Sequence, residues 1–129
     1  MPERVVFEYA ILRLVPRIER GECINVGVVL FCRSRRFLDA GIQIDSQRIK
    51  AFAPQLDLES VTEQLKTIPL VCAGGKAAGP IGELPAPERF RWLVAPRSTI
   101  IQCSPVHMGL CVDPGAELAR LVAQLVGVA

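Results

Sequence analysis

Residues 24–32 constrain the fold of this chain more than any other segment. Successive side chains of a strand point to opposite faces, so one face would carry Ile24, Val26, Val28, Leu30 and Cys32. The other face, with Asn25, Gly27, Val29 and Phe31, is also largely apolar. A strand that is apolar on both faces is typical of the middle of a sheet, and we therefore predict a central strand.

Two neighbouring segments complete a predicted antiparallel meander. Residues 5–15 are rich in β-branched and aliphatic side chains, and Pro16 ends this strand because proline cannot donate to a ladder. Residues 37–45 alternate between apolar and polar side chains, which predicts a strand with one solvated face. The connection at 33–36 is too short for a parallel crossover. A later strand is predicted near 99–103.

The apolar spacing changes from two residues to the helical period after residue 45. Asp57 is the expected N-cap of a helix over 58–72, and Pro69 should kink or end that helix because it removes a backbone donor. Asp113 is the expected N-cap of a second main helix over 114–126. These elements predict an α+β fold with both main helices packed on one face of the sheet.

The remaining segments are shorter. Residues 46–52 and 86–94 have the apolar spacing of short helices, and residues 73–87 are rich in glycine and proline and are interpreted as a loop. Trp92 in the second of these helices is expected either to anchor in the core or to form a stacking patch with neighbouring arginines.

Size and charge limit the classes of function. A chain of 129 residues is expected to form one domain over 1–129. The net charge of +2 is too small to predict nucleic-acid binding. No apolar stretch is long enough to span a membrane, and Glu8 interrupts the first apolar run, so no signal peptide is predicted. The five dispersed cysteines fit free thiols of a cytoplasmic protein better than a disulfide framework.

The familiar cofactor and catalytic motifs are not found in the sequence. Gly74-Gly75-Lys76 has the wrong flanking residues for a phosphate-binding loop. The cysteines form no Cys-x-x-Cys pair, so no metal site and no cofactor are predicted. His107 lies four residues from both Cys103 and Cys111, but the intervening Pro105 and Gly109 break any helical register between them.

Several polar residues flank the predicted strands and are the candidate ligand-binding residues. They are Arg13, Arg17, Arg20, Glu22, Asn25, Arg97, Ser98 and His107. Arginines at strand ends are costly to desolvate without an anionic partner, so a cleft that gathered them would favour a phosphate or carboxylate. Each residue also has a structural alternative as a solvated or locally capped side chain.

Four segments together resemble a bacterial family, domain of unknown function family 3037. The matching segments are residues 9–13 (YAILR), 19–30 (ERGECINVGVVL), 89–99 (RFRWLVAPRST) and 104–107 (SPVH). The likeness spans residues 5–126 and brings no established activity. It implies, as partners or genomic neighbours, kinase-like proteins related to the HipA toxins.

These observations leave two main hypotheses of function. The first is a non-catalytic accessory or protein-interaction module, whose partner would be such a kinase-like protein or a second copy of the chain. The alternative is a small enzyme or ligand-binding protein whose arginine-rich cleft holds a phosphorylated or nucleotide-like ligand. A deep pocket that gathers the candidate residues would favour the ligand, and a flat apolar patch would favour the protein partner.

Overall fold

The computed structural model describes residues 2–127, which form an α+β fold around one antiparallel sheet. The strands are β1 (Val5–Leu14), β2 (Ile24–Cys32), β3 (Phe37–Ile42), β4 (Ile101–Cys103) and β5 (His107–Cys111). The helices are α1 (Ser46–Phe52), α2 (Leu58–Ala73), α3 (Ala86–Val94) and α4 (Pro114–Leu125). Two 3-10 segments, Ile18–Arg20 and Lys76–Glu83, complete the list of regular elements.

The predicted meander is confirmed. β2 pairs antiparallel with both β1 and β3, so it is central as expected, and the order across the sheet is β3-β2-β1. Beyond β1, β4 pairs with Leu12–Leu14 and β5 pairs with Val5–Tyr9, so the two short strands share one edge. Two features differ from the prediction. β5 was not predicted from the sequence, and β3 ends at Ile42 rather than at residue 45.

A β-bulge in β2 changes which residues share a face. The pairing passes from Leu12–Gly27 to Arg13–Asn25, and the step skips Val26. Val26 therefore packs with the core residues around Leu12, whereas Val28 packs in a second cluster. The prediction that the five apolar residues from Ile24 to Cys32 lie on one face is wrong for this reason.

The sheet carries a core on each face. Val29 and Phe31 pack with α1, α2 and α3, whereas Val28 and Leu30, of opposite parity, pack against α4. The main helices α2 and α4 thus lie on opposite faces, and the prediction that they share one face is wrong. The physical reason is that β2 is apolar on both sides, so that each side needs its own helical cover.

The predicted helix starts are confirmed by their capping contacts. The Asp57 carboxylate accepts a hydrogen bond from the Ser60 N–H, and Asp113 accepts from the N–H groups of Gly115 and Ala116. Pro69, however, does not end α2, which continues to Ala73.

Burial explains why α2 continues past Pro69. Ile68 lies before the proline, Val71 and Cys72 follow it, and all three are buried in the core. Their tertiary packing offsets the backbone hydrogen bond that the proline cannot make.

The segment interpreted as a loop is a folded connection. The Gly75 N–H donates to the Gly82 carbonyl at 2.8 Å, which closes the 3-10 segment between them. Arg89 of α3 donates to the carbonyls of Val71 and Cys72, at 2.8 and 2.6 Å, and so joins α3 to the end of α2. The segment over 73–87, predicted to be a loop, therefore contains a 3-10 segment held by these contacts.

Candidate functional site

Three of the predicted site residues line one cavity. Arg17 precedes the 3-10 turn that follows β1, Arg20 ends this turn and Glu22 comes after it, all opposite the end of α1. The cavity has a volume of about 630 Å³, and its other lining residues are Pro16 and residues 52–56. This volume is typical of small-molecule sites, which usually measure about 300–1,000 Å³.

The charges of this cavity are already paired. The Arg17 Nε lies 2.8 Å from the Glu19 Oε1, and the Arg20 Nε donates to the Glu22 carboxylate. The hydrogen bond from Arg20 and its positive charge lower the pKa of Glu22, and the same contact raises the pKa of Arg20. An anionic ligand here would have to compete with a neighbouring carboxylate for each guanidinium.

Arg13 and Asn25 lie on the α4 face of the sheet and line neither cavity. Arg13 alternates with the core residues Leu12 and Leu14, so its side chain leaves β1 on the opposite face. The Asn25 Nδ2 donates to the Leu125 carbonyl at 3.0 Å, so this amide fastens the end of α4 to β2. Asn25 therefore has a clear structural contact.

Arg97 lies at a second, smaller cavity of about 230 Å³ between α2, α3 and β4. Its guanidinium carbon is 4.5 Å from the centre of the Trp92 ring, and its Nη2 donates to the Trp92 carbonyl. The Trp92 residue is 42% exposed, so the expectation that it anchors in the core is wrong. The arginine occupies the ring face that a stacked base would need. Ser98 is exposed and lines neither cavity.

His107 begins β5 and is exposed. Its ring centroid lies 5.3 Å from that of Tyr9, its neighbour on β1. The Cys103 thiol donates instead to the Leu93 carbonyl, and burial raises the pKa of this thiol. These contacts give the histidine and the cysteine separate partners.

The eight candidate residues therefore do not form one cleft. Arg17, Arg20 and Glu22 share the larger cavity, whereas Arg97 lines the smaller one, and the two cavities have no lining residue in common. The sequence could not show this separation because it depends on where connections far apart in the chain lie relative to each other in the fold.

An exposed apolar surface that was not predicted from the sequence lies on and beside β5, and we call it the β5 surface. It consists of Val6, Val106, Met108, Leu110 and Val112. Met108 is 70% exposed, Leu110 58% and Val6 50%. The apolar side chains at 106, 108, 110 and 112 recur every second residue, and this period was the available signal for β5.

Strand pairing places Val6, Met108 and Leu110 of the β5 surface on one face, and Val106 and Val112 flank β5 in the same alternation. Val6 pairs with Leu110 and Glu8 pairs with Met108, and directly paired residues point to the same side of a sheet. The alternate β5 residue Cys111 is buried on the other face with α4. Exposed apolar residues that share one face of a sheet form the kind of surface that is often functional, even on a monomer.

The β5 surface also adjoins an open sheet edge. β5 pairs with β1 alone, and among residues 2–127 no hydrogen bond covers its outer side. The strand contains neither proline nor a formally charged residue at neutral pH, which are the features that usually protect such edges.

The fold and this surface define a small α+β domain with helices on both faces of the sheet and one uncovered apolar corner. The chain belongs to the family described as "Protein of unknown function (DUF3037)", whose model matches residues 9–126 and confirms the resemblance noted in the sequence. The comparisons with curated proteins and with solved structures gave no match.

None of the helices within 2–127 is long and apolar enough to cross a membrane. In the same part of the chain, no three His, Cys, Asp or Glu side chains are grouped so that they could hold a metal ion.

Proposed function

We propose that this protein is a non-catalytic interaction module that binds a partner protein through the β5 surface. The observation that carries the proposal is the exposure of Met108 and Leu110 on an unprotected edge strand. The largest exposed apolar patch of a protein is often a functional surface, and an interaction site is one such function. The partner implied by the family resemblance is a kinase-like protein related to the HipA toxins, met in the bacterial cytoplasm.

The experiment compares two leucines of similar exposure. Leu110 on β5 is 58% exposed and Leu70 on α2 is 45% exposed, outside the β5 surface. Tagged wild type, Leu110→Ser and Leu70→Ser are each expressed with the kinase-like protein in the native host, and the retained proteins are quantified by mass spectrometry. We expect Leu110→Ser to retain less than a tenth of the wild-type amount of its partner, and Leu70→Ser to retain an unchanged amount.

Thermal unfolding of the wild type and both variants checks that the substitutions leave the fold intact. The three proteins should be similarly stable, since surface substitutions usually change stability by less than about 0.5 kcal/mol. Equal retention by wild type and Leu110→Ser would overturn the proposal. Sedimentation velocity on the purified chain tests the other assembly, a homodimer, which would also lose its interface in Leu110→Ser.

The larger cavity supports a second candidate, a ligand-binding protein. Its volume of about 630 Å³ and the presence of two arginines favour a phosphorylated ligand. Because Glu22 occupies the Arg20 guanidinium, Glu22→Gln should strengthen binding of inorganic phosphate or a nucleotide measured by calorimetry. Arg20→Lys should bind poorly because the ammonium lacks the two-pronged geometry. No binding by the wild type or by Glu22→Gln would leave only the interaction module.

A further inference from the structure

We propose that the β5 surface receives an amphipathic helix of the partner that carries a Lys or Arg side chain opposite Glu8. This inference rests on the proposed function and adds the shape and the charge of the partner segment. Helix-in-groove recognition is a common mode by which one protein binds a segment of another.

The layer of helices on this face of the sheet ends at Phe31. Glu8 pairs with Phe31 of β2 on one side and with Met108 of β5 on the other, so these three side chains form a row across one face. Phe31 is covered, because its ring stacks on Phe90 of α3 with centroids 5.3 Å apart. The next two residues of the row lie beyond α3. A partner helix there would continue the layer that α2 and α3 begin.

The negative charge of Glu8 restricts which segment can cover the β5 surface. Glu8 is half-buried among Val6, Met108 and Leu110, and no Lys or Arg within residues 2–127 lies within 4.0 Å of its carboxylate. Covering an ionised carboxylate with an apolar segment is costly unless a cation accompanies it. The occupant must therefore supply a positive side chain at this point.

The same charge argues against a second copy of this chain. A face-to-face dimer whose two-fold axis passes through the Glu8–Met108 row would bring two Glu8 carboxylates together without a cation. An edge-to-edge dimer would join two β5 strands but leave Val6, Met108 and Leu110 facing solvent. Neither arrangement covers the apolar area and pairs the carboxylate.

The dimensions of the surface set the length of the helix. The five residues of β5 span about 16 Å at roughly 3.3 Å per residue. A helix rises about 5.4 Å per turn, so three turns, about 11 residues, match this length. Apolar anchors at i, i+4 and i+7 with one Lys or Arg between them describe the expected segment.

The test uses three fluorescein-labelled peptides of 18 residues. Two are helical with the same leucine stripe, one flanked by Lys and the other by Glu, and the third has the composition of the Lys peptide in a strand-like alternating order. Fluorescence anisotropy should show the wild type binding the Lys-flanked helix at least ten times more tightly than either other peptide. The net charge of +2 opposes this preference, so non-specific attraction does not explain it.

Substitutions on and away from the β5 surface test whether the peptide binds there. Met108→Ser should weaken binding of the Lys-flanked helix at least tenfold, and Leu70→Ser should leave it unchanged. Glu8→Gln should reduce the preference for Lys over Glu flanks to less than threefold. Equal binding of the strand-like peptide, no binding of either helix, or a dimer that Met108→Ser dissociates would each overturn the inference.

Failure of this inference is distinguishable from failure of the proposed function. If Leu110→Ser loses the co-purified partner but no helical peptide binds, the surface binds another kind of segment and the interaction module stands. If Leu110→Ser keeps the partner in full, both the proposed function and the inference fail.

Discussion

Arg89 is predicted to be the C-terminal cap of a helix other than its own. Its Nη1 donates to the carbonyls of Val71 and Cys72, in the last turn of α2, and its Nε donates to the Leu84 carbonyl at 2.9 Å. The last turn of α2 contains no basic residue, so this guanidinium supplies the positive charge that the carbonyl end of a helix favours.

The loss of stability expected for an Arg89 variant follows from these three hydrogen bonds. Arg89→Met keeps much of the side-chain volume and removes all three hydrogen bonds. The two contacts to α2 are partly buried and charge-assisted, and each should contribute about 1–1.5 kcal/mol, while the exposed contact to Leu84 adds little. We therefore expect the free energy of unfolding to fall by about 2–3 kcal/mol, with Tm lower by roughly 10 °C. Arg89→Lys should lose about half as much, since an ammonium reaches fewer carbonyls.

Urea denaturation followed by circular dichroism measures this change. Arg91→Met is the matched control, because Arg91 lies on the same helix, is exposed, and its guanidinium makes no hydrogen bond to the described residues. It should change stability by less than about 0.5 kcal/mol. An Arg89→Met variant as stable as Arg91→Met would refute the capping role. Faster labelling of the Cys72 thiol in Arg89→Met would place the damage at the end of α2.

Three further predictions concern the core and the thiols. Leu121 is buried between α4 and the sheet, so Leu121→Ala should cost roughly 2–4 kcal/mol in urea denaturation, and a loss under about 0.5 kcal/mol would mean that α4 is peripheral. Of the five thiols, only Cys23 is exposed, so a disulfide-exchange reagent should label Cys23 rapidly and the other four thiols slowly. After unfolding under non-reducing conditions all five thiols should be labelled, and a count of three labelled thiols or one would reveal a disulfide. Burial raises the pKa of Cys72 to about 12, so the unfolded thiol ionises before the folded one, and stability should fall above about pH 9 by up to 1.4 kcal/mol per pH unit. Cys72→Ala should flatten this dependence and Cys23→Ala should not.

Local sequence determined the elements whose signals lie within a few residues. The continuous apolar run at 24–32 indicated the limits of β2. Asp57 and Asp113 indicated the starts of α2 and α4, because a cap and the donors it satisfies are close in the chain. The four-residue connection at 33–36 likewise required antiparallel pairing of β2 and β3.

The candidate site was predicted only in part, and the reason is again distance in the chain. Arg17, Arg20 and Glu22 line one cavity because one turn holds all three. Arg97 and His107 were joined to them only by supposition, and no local pattern specifies which strand edge or helix lies beside them.

Only the tertiary structure decided the features that depend on distant partners. The bulge at Val26 reverses the faces of β2 through its register with β1, and burial on both sides carries α2 past Pro69. Met108 is exposed because the cover by α3 ends two strands away, at Phe31 of β2. A local sequence specifies backbone preference and periodicity, whereas the face that is covered depends on the free energy of packing residues far apart in the chain.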